Sequence, residues 1–136
     1  VELETGSQLA TQESADFERA SGALASGNFQ SAAVQFTAFN QTYPGGPLSV
    51  DADLMRGDAL EGLGDTRSAA RAYLEAFSAD QTGTNAPFAL FKLGGALGRL
   101  GQTSEACVTL GEVSVRFPNS GSALEANSQM LNIGCS

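Results

Sequence analysis

Small and apolar residues recur at steps of three and four along most of this chain, and glycine, proline or polar segments interrupt them. This spacing places apolar side chains along one face of an α-helix, and the interruptions are typical of helix ends. We therefore predict seven helices, at about residues 14–26, 28–43, 47–62, 65–79, 86–100, 102–117 and 120–132. Residues 1–13 (VELETGSQLATQE) are polar and lack this periodicity, so we predict a flexible linker there.

One order of residue sizes returns at a fixed interval of 37 residues, starting from Gly27, Gly64 and Gly101. A small residue precedes each glycine by seven positions, an alanine follows it by five, and a large residue follows it by nine. In that order these are Ala20, Gly57 and Gly94, then Ala32, Ala69 and Ala106, then Phe36, Tyr73 and Leu110. A period of this length indicates stacked supersecondary units.

A single helix pair cannot bury its own apolar face, whereas three stacked pairs and a terminal helix with one wet face can. We predict an all-α solenoid with helix-turn-helix repeats at about residues 14–46, 47–84 and 85–119 and a capping helix at 120–132. The small residues of the pattern let the two helices of a pair approach closely. We expect the large residues to fill the gap to the next pair.

Composition narrows the range of functions. Fifteen acidic residues against seven basic ones give a net charge of −8, which disfavours binding to nucleic acid or anionic lipid. Histidine is absent, which removes the commonest general base and metal ligand. No apolar run approaches the roughly 20 residues of a membrane-spanning helix. Because the chain starts at Val1 without a signal-peptide pattern, we expect a processed protein or an excised fragment.

The chain has two cysteines, Cys107 and Cys135, which are too few for a zinc site. A disulfide between them would close a loop of 28 residues and stabilise the C-terminus by about 3 kcal/mol. The alternative is a small, buried Cys107 and an unpaired Cys135 in a frayed tail. We favour the disulfide, because a thiol has little packing reason to stand in this polar tail and a capping helix against the sixth helix could bring the two together.

Dense carboxylates occur only at Asp51, Asp53 and Asp58. Asp51 and Asp58 could share one helix face, and a glycosidase uses two opposed carboxylates. However, acidic residues also favour a helix start through its dipole, and no nucleophile, phosphate loop or metal cluster accompanies them. We predict a non-catalytic protein without cofactor or metal, with a carbohydrate-active or hydrolytic domain as the minor alternative.

The small-large-small spacing resembles the tetratricopeptide repeat, with a period three residues longer than the usual 34, which points to a bacterial envelope subgroup. More narrowly, residues 15–131 resemble the C-terminal tetratricopeptide domain of the periplasmic Tol-Pal-associated YbgF/CpoB family. The segments that carry this are GNFQSA (27–32), YPGGPL (43–48), Gly64-Asp65 with Ala69-Ala70, LFKLG (90–94), EACVTLGEV (105–113) and RFP (116–118).

The resemblance implies a periplasmic scaffold that binds the TolA protein and coordinates cell-wall synthesis with outer-membrane constriction during division. It is consistent with a disulfide, which persists in an oxidising compartment. The family's N-terminal coiled coil is absent from this chain, so we expect a monomer. The alternative is another bacterial envelope scaffold of the same fold, such as an adaptor of the outer-membrane assembly lipoprotein type.

Stacked helix pairs curve, and their first helices line the concave side that such solenoids use for binding. An apolar floor with central carboxylates suits an extended or helical peptide with apolar anchors and a Lys or Arg. Alternatively, the phenylalanines are core and the carboxylates only solvated surface. The lysines and asparagines with which Hsp70- or Hsp90-binding repeats hold a terminal carboxylate are missing. By the repeat phase, the expected groove residues are Phe17, Ser21, Leu24, Leu54, Asp58, Glu61, Phe88, Phe91 and Gly95.

Overall fold

A computed structural model describes residues 2–136, with side chains from residue 9 onward. Within this range the chain forms helices and no strands, which confirms the all-α prediction. Each helix packs chiefly against its neighbours in the sequence, so that three pairs and a last single helix form a solenoid. The helices are α1 (Glu2–Ala25), α2 (Phe29–Thr42), α3 (Ser49–Gly62), α4 (Thr66–Ala79), α5 (Ala86–Arg99), α6 (Thr103–Arg116) and α7 (Gly121–Ile133).

The first helix differs from the prediction. Residues 2–13 are helical rather than a flexible linker, so Ser14 does not begin the helix; Val1 lies outside the described residues. Extending an existing helix adds one hydrogen bond per residue fixed, and no proline interrupts this segment, so a weak apolar pattern is sufficient. None of the described helices combines the length and apolarity needed to cross a membrane.

The turns within the three pairs share one geometry. Each has a glycine with φ of +79° or +80°, a left-handed conformation that glycine adopts without steric cost. The residue after the glycine donates its N–H to a carbonyl five positions back and also serves as the N-cap of the next helix. Only Asp65 caps with its side chain, by accepting from the Ser68 N–H at 3.2 Å. The three backbone bonds are Asn28 to Ala23, Asp65 to Leu60 and Gln102 to Leu97.

The small and large residues of the repeat meet within the second and third pairs. A Cβ placed on Gly57 would lie 2.3 Å from the Tyr73 ring, and one on Gly94 would lie 2.7 Å from the Leu110 side chain. Tyr73 and Leu110 are fully buried by this contact. In these two pairs the large residue therefore fills the space left by the missing glycine side chain, and our expectation that it also fills the gap to the next pair stays a prediction.

Two apolar clusters form the core and meet at α3, where Leu60 packs against both. The first joins α1, α2 and α3, and the second runs from α3 to α7. Phe17 of α1 belongs to the first cluster, where its ring lies edge-on to Phe36 and Phe39 with centroids 5.8 and 5.6 Å away. The core is therefore continuous along the solenoid, as stacked pairs require.

The capping helix α7 covers the end of the second cluster with Met130 and Ile133. It ends at Ile133 with Gly134 as the C-cap, and Cys135 follows directly, with its Sγ against that of Cys107 on α6. The two thiols are thus at disulfide distance, as predicted from the sequence. This bond ties the end of the chain to the last helix pair.

We expect Gly57→Ala to lower the free energy of unfolding by about 1–3 kcal/mol, because the new methyl group overpacks the contact with Tyr73. Gly22→Ala is the matched control: nothing lies within 4 Å of its added Cβ. In a helix interior, alanine there is worth about 0.5–1 kcal/mol over glycine. Urea unfolding followed by circular dichroism measures both changes, and equal effects would contradict the close contact at Gly57.

Replacing both cysteines with serine removes the cross-link and should lower the free energy of unfolding by about 3 kcal/mol. Dithiothreitol should cause a similar loss in the wild-type chain and none in the double variant. If the reductant leaves the wild type unchanged, the two thiols are not paired in solution.

Candidate functional site

The first helices of the three pairs lie side by side and form one face, which we call the first-helix face (α1, α3 and α5). Backbone packing between α3 and α5 is slight, and side chains bridge the gap instead. Ser21 of α1 donates to the Met55 sulfur of α3 at 3.8 Å, which links the first two helices of this face. The predicted groove residues all belong to these three helices.

The apolar residues predicted for this face differ in exposure. Leu54 is buried, and Phe17, Leu24 and Phe91 are half-buried and pack against the core clusters. Phe17 and Phe91 therefore pack as core residues, which was the alternative to a role in the groove. Phe88 is 41% exposed, which makes it the most exposed aromatic side chain among residues 9–136.

The central carboxylates of the face are paired within the chain. Asp58 accepts from the Tyr73 hydroxyl at 2.7 Å and from the Lys92 ammonium at 3.0 Å, and Glu61 forms an ion pair with Arg99. Both cations come from α5, across the gap between the two helices. The carboxylates are partly exposed but do not form an unpaired acidic floor, because each is paired with a cation of α5.

Asp51, at the start of α3, is engaged in a similar way. It accepts from the Asn85 side chain at the N-terminus of α5 at 2.6 Å. This bond, the Asp58–Lys92 pair and the Ser21–Met55 contact all join residues 34 apart in the sequence. We did not predict these links. Complementary polar residues at this interval are the signal that could have shown them.

Asp53 lies away from these links, buried between α2, α3 and α4 at 8% exposure. It accepts from Asn40 at 2.7 Å and from Arg56 at 3.4 Å, and Arg56 also pairs with Glu75 at 2.6 Å. Burial raises the pKa of the Asp53 carboxyl, although Arg56 and Asn40 oppose that shift. Asp53 therefore ties three helices together and faces no ligand.

Tyr73 connects the core to the first-helix face. Burial, and then the hydrogen bond to Asp58, raise the pKa of its phenol well above the usual value of 10.0, so the hydroxyl stays a proton donor at neutral pH. Its ring faces the Lys92 ammonium, with Nζ 5.5 Å from the centroid. Tyr73 is therefore a core residue that contributes a hydrogen-bond donor and an aromatic ring to the first-helix face.

The minor alternative of a two-carboxylate enzyme gains no support from this geometry, because Asp51 and Asp58 each have a partner from α5. Among the residues with described side chains, no group of three histidines, cysteines or carboxylates could hold a metal ion. The absence of catalysis stays a prediction.

A shallow hollow of about 640 Å³ lies elsewhere, at the turn side of α2. Phe29, Val34 and Leu63 form its apolar lining, and the Phe29 ring lies against Gly62. No pattern in the sequence indicated this hollow, because its residues come from two different repeats.

A sequence model for the tetratricopeptide repeat matches residues 88–120, which span α5 and α6. The Arabidopsis OM64 TPR domain superposes with a TM-score of 0.72 at 17% identity, over 88% of this chain and 94% of that one. The chain has the tetratricopeptide-repeat fold. No curated protein sequence matches it significantly.

Two further tetratricopeptide structures were determined with bound peptides. The second TPR domain of human RPAP3, in complex with an HSP70 peptide, has a TM-score of 0.74 at 18% identity, over 90% of this chain and 97% of that one. The Yersinia enterocolitica type III secretion chaperone SycD, in complex with a peptide of the translocator YopD, has a TM-score of 0.71 at 18% identity, over 93% and 89%. The likeness establishes the fold.

The pH dependence of stability should separate Asp53 from Asp65. A raised pKa in the folded state means that Asp53 favours folding more as the pH falls, with the full effect below the unfolded value of 3.8. The hydrogen bonds from Ser68 lower the pKa of Asp65, so its contribution is lost as the pH falls.

We expect the stability of the wild type relative to Asp53→Asn to increase from pH 7 to pH 4. Relative to Asp65→Asn it should decrease over the same range. Urea unfolding at several pH values measures both differences, and trends of the same sign would contradict the assignment.

Proposed function

We propose that this chain is a non-catalytic interaction scaffold that binds a segment of a protein partner on its first-helix face. The observation that carries this is the face itself: its helices are bridged by side chains, and Phe88 stands exposed beside the paired charges. An exposed aromatic residue next to charged groups is typical of a binding anchor. The peptide complexes of RPAP3 and SycD support a peptide partner for this fold.

The partner segment that fits is extended or helical, with an apolar anchor near Phe88 and a Lys or Arg near Asp58 and Glu61. Since these carboxylates are already paired, the basic side chain must compete with Lys92 or Arg99. The net charge of −8 favours a basic partner through long-range attraction.

We further propose that the chain works in the periplasm within the Tol-Pal system, binding TolA and helping to coordinate cell-wall synthesis with outer-membrane constriction. The support is the sequence resemblance described above and the disulfide, which suits an oxidising compartment. The second candidate is an envelope adaptor of the outer-membrane assembly lipoprotein type, which the same fold and disulfide also suit.

The test is a calorimetric titration of this chain with the periplasmic part of TolA. Phe88→Ala should weaken binding by about tenfold, because truncating an anchor typically costs more than 1 kcal/mol. Leu74→Ala is the matched control, since Leu74 is exposed to a similar degree (49%) but lies on α4, outside the first-helix face. It should leave the affinity unchanged.

If Leu74→Ala weakens binding and Phe88→Ala does not, the partner uses another face. If the folded wild type does not bind TolA, the Tol-Pal assignment is wrong and a tetratricopeptide scaffold without an assigned partner is what is left.

A further inference from the structure

Lys92 is the only lysine in the chain, and its ammonium lies among groups from three helices. Asp58 of α3 is 3.0 Å from Nζ, and the centroids of the Tyr73 and Phe88 rings, on α4 and α5, are 5.5 and 5.6 Å away. A carboxylate with two aromatic faces is the combination that binds alkylammonium groups. These three residues, which we call the ammonium site, therefore surround Lys92 as they would surround a ligand.

Two of the three residues of the ammonium site are held in place by contacts that do not involve Lys92. Tyr73 is fully buried against Gly57, and its hydroxyl fixes the Asp58 carboxylate through a hydrogen bond of 2.7 Å. Gly57 and Asp58 are adjacent on α3, so one segment of backbone positions both the ring and the carboxylate. The Tyr73 ring and the Asp58 carboxylate would therefore keep their positions if the Lys92 side chain moved away.

The site is also open to solvent. The side chains of Lys92 and Asp58 are 27% and 36% exposed, and Phe88 is 41% exposed. A sealed structural ion pair would be less accessible than this. The neighbouring pair of Glu61 and Arg99 joins the same two helices, but among the described residues no aromatic ring faces Arg99.

We propose that Asp58, Tyr73 and Phe88 form a binding site for the lysine ammonium of a partner protein, and that Lys92 occupies this site until the partner displaces it. The lysine belongs to the partner segment of the proposed function, so the inference rests on that function. The geometry of the site, however, can be tested without any partner.

Exchange of one ammonium for another explains how such a site selects its ligand. A partner lysine restores the charge pair with Asp58, while Lys92 regains its rotamer freedom in solvent. A neutral side chain that displaced Lys92 would leave a partly buried carboxylate without a cation, which is unfavourable. The occupied site therefore rejects neutral side chains and accepts an alkylammonium group.

The first experiment uses n-butylammonium chloride as a probe of the Lys92→Ala chain. Truncation empties the site, so the probe should raise the melting temperature of this variant by about 1–2 °C at a concentration equal to its dissociation constant. The rise should continue with the logarithm of the amine concentration above the dissociation constant, and should be absent with n-butanol or with sodium chloride at equal ionic strength. The wild type, whose site is occupied, should show at most a small rise.

Two variants serve as controls. The double variant Asp58→Asn with Lys92→Ala should lose the response, because the carboxylate is gone. Arg99→Ala leaves Glu61 without its cation but offers no aromatic face, so the probe should bind it several-fold more weakly. If Lys92→Ala shows no rise in melting temperature specific to the amine, or if Arg99→Ala responds equally, the ammonium site is refuted.

A second measurement covers the case in which Lys92→Ala folds poorly. A library of random 12-residue peptides displayed on phage is selected on the immobilised wild-type chain, and lysine should be enriched among the peptides retained. Synthetic peptides from the selection should bind Asp58→Asn at least several-fold more weakly than the wild type. Selected peptides without lysine enrichment, or equal binding to both chains, would overturn the proposal.

The two proposals fail in different ways. Loss of TolA binding together with an amine-specific rise in melting temperature would refute the Tol-Pal partner and keep the ammonium site. TolA binding without an amine response would keep the Tol-Pal partner and refute the ammonium site.

Discussion

The contact between Gly57 and the Tyr73 ring is the constraint on which the rest of the structure depends. Because α3 has no side chain at that position, α4 can bring an aromatic ring into the space and bury it completely. Gly94 and Leu110 repeat the arrangement one pair later. The same contact also affects the surface. With the Tyr73 ring held against Gly57, its hydroxyl donates to Asp58 and the face of the ring lies near the Lys92 ammonium.

The acidic residues of α3 form contacts between helices within the chain. Asp51, Asp58 and Glu61 each take a partner from α5, and Asp53 joins α2, α3 and α4. Helices α3 and α5 have little backbone contact, so these polar links connect successive pairs on the first-helix face. A partner that binds to this face meets carboxylates that are already paired with cations of the chain. This favours exchange of one cationic side chain for another over neutralisation of an unpaired carboxylate.

Much of the fold was predictable because it depends on local chemistry. The glycines at 27, 64 and 101 end helices in a left-handed conformation, and the apolar periodicity identifies the inner faces, so helix order, repeat phase and capping helix all followed. Residues 2–13 escaped prediction because a helix can extend through a polar segment without an apolar face. Phe17 and Phe91 were ambiguous for a different reason: a first-helix residue can turn towards the core or the groove, and spacing alone does not separate the two.

The sequence by itself determined the repeat, the all-α class and the places where helices end, and it favoured the pairing of Cys107 with Cys135 without deciding it. These follow from backbone conformational preferences and from the need to bury an apolar stripe on each helix. Only the tertiary structure decided that Lys92 lies between Asp58, Tyr73 and Phe88, and that Arg99 pairs with Glu61. These contacts join three helices across a gap whose width and curvature come from the packing of whole pairs, and no local pattern encodes that distance.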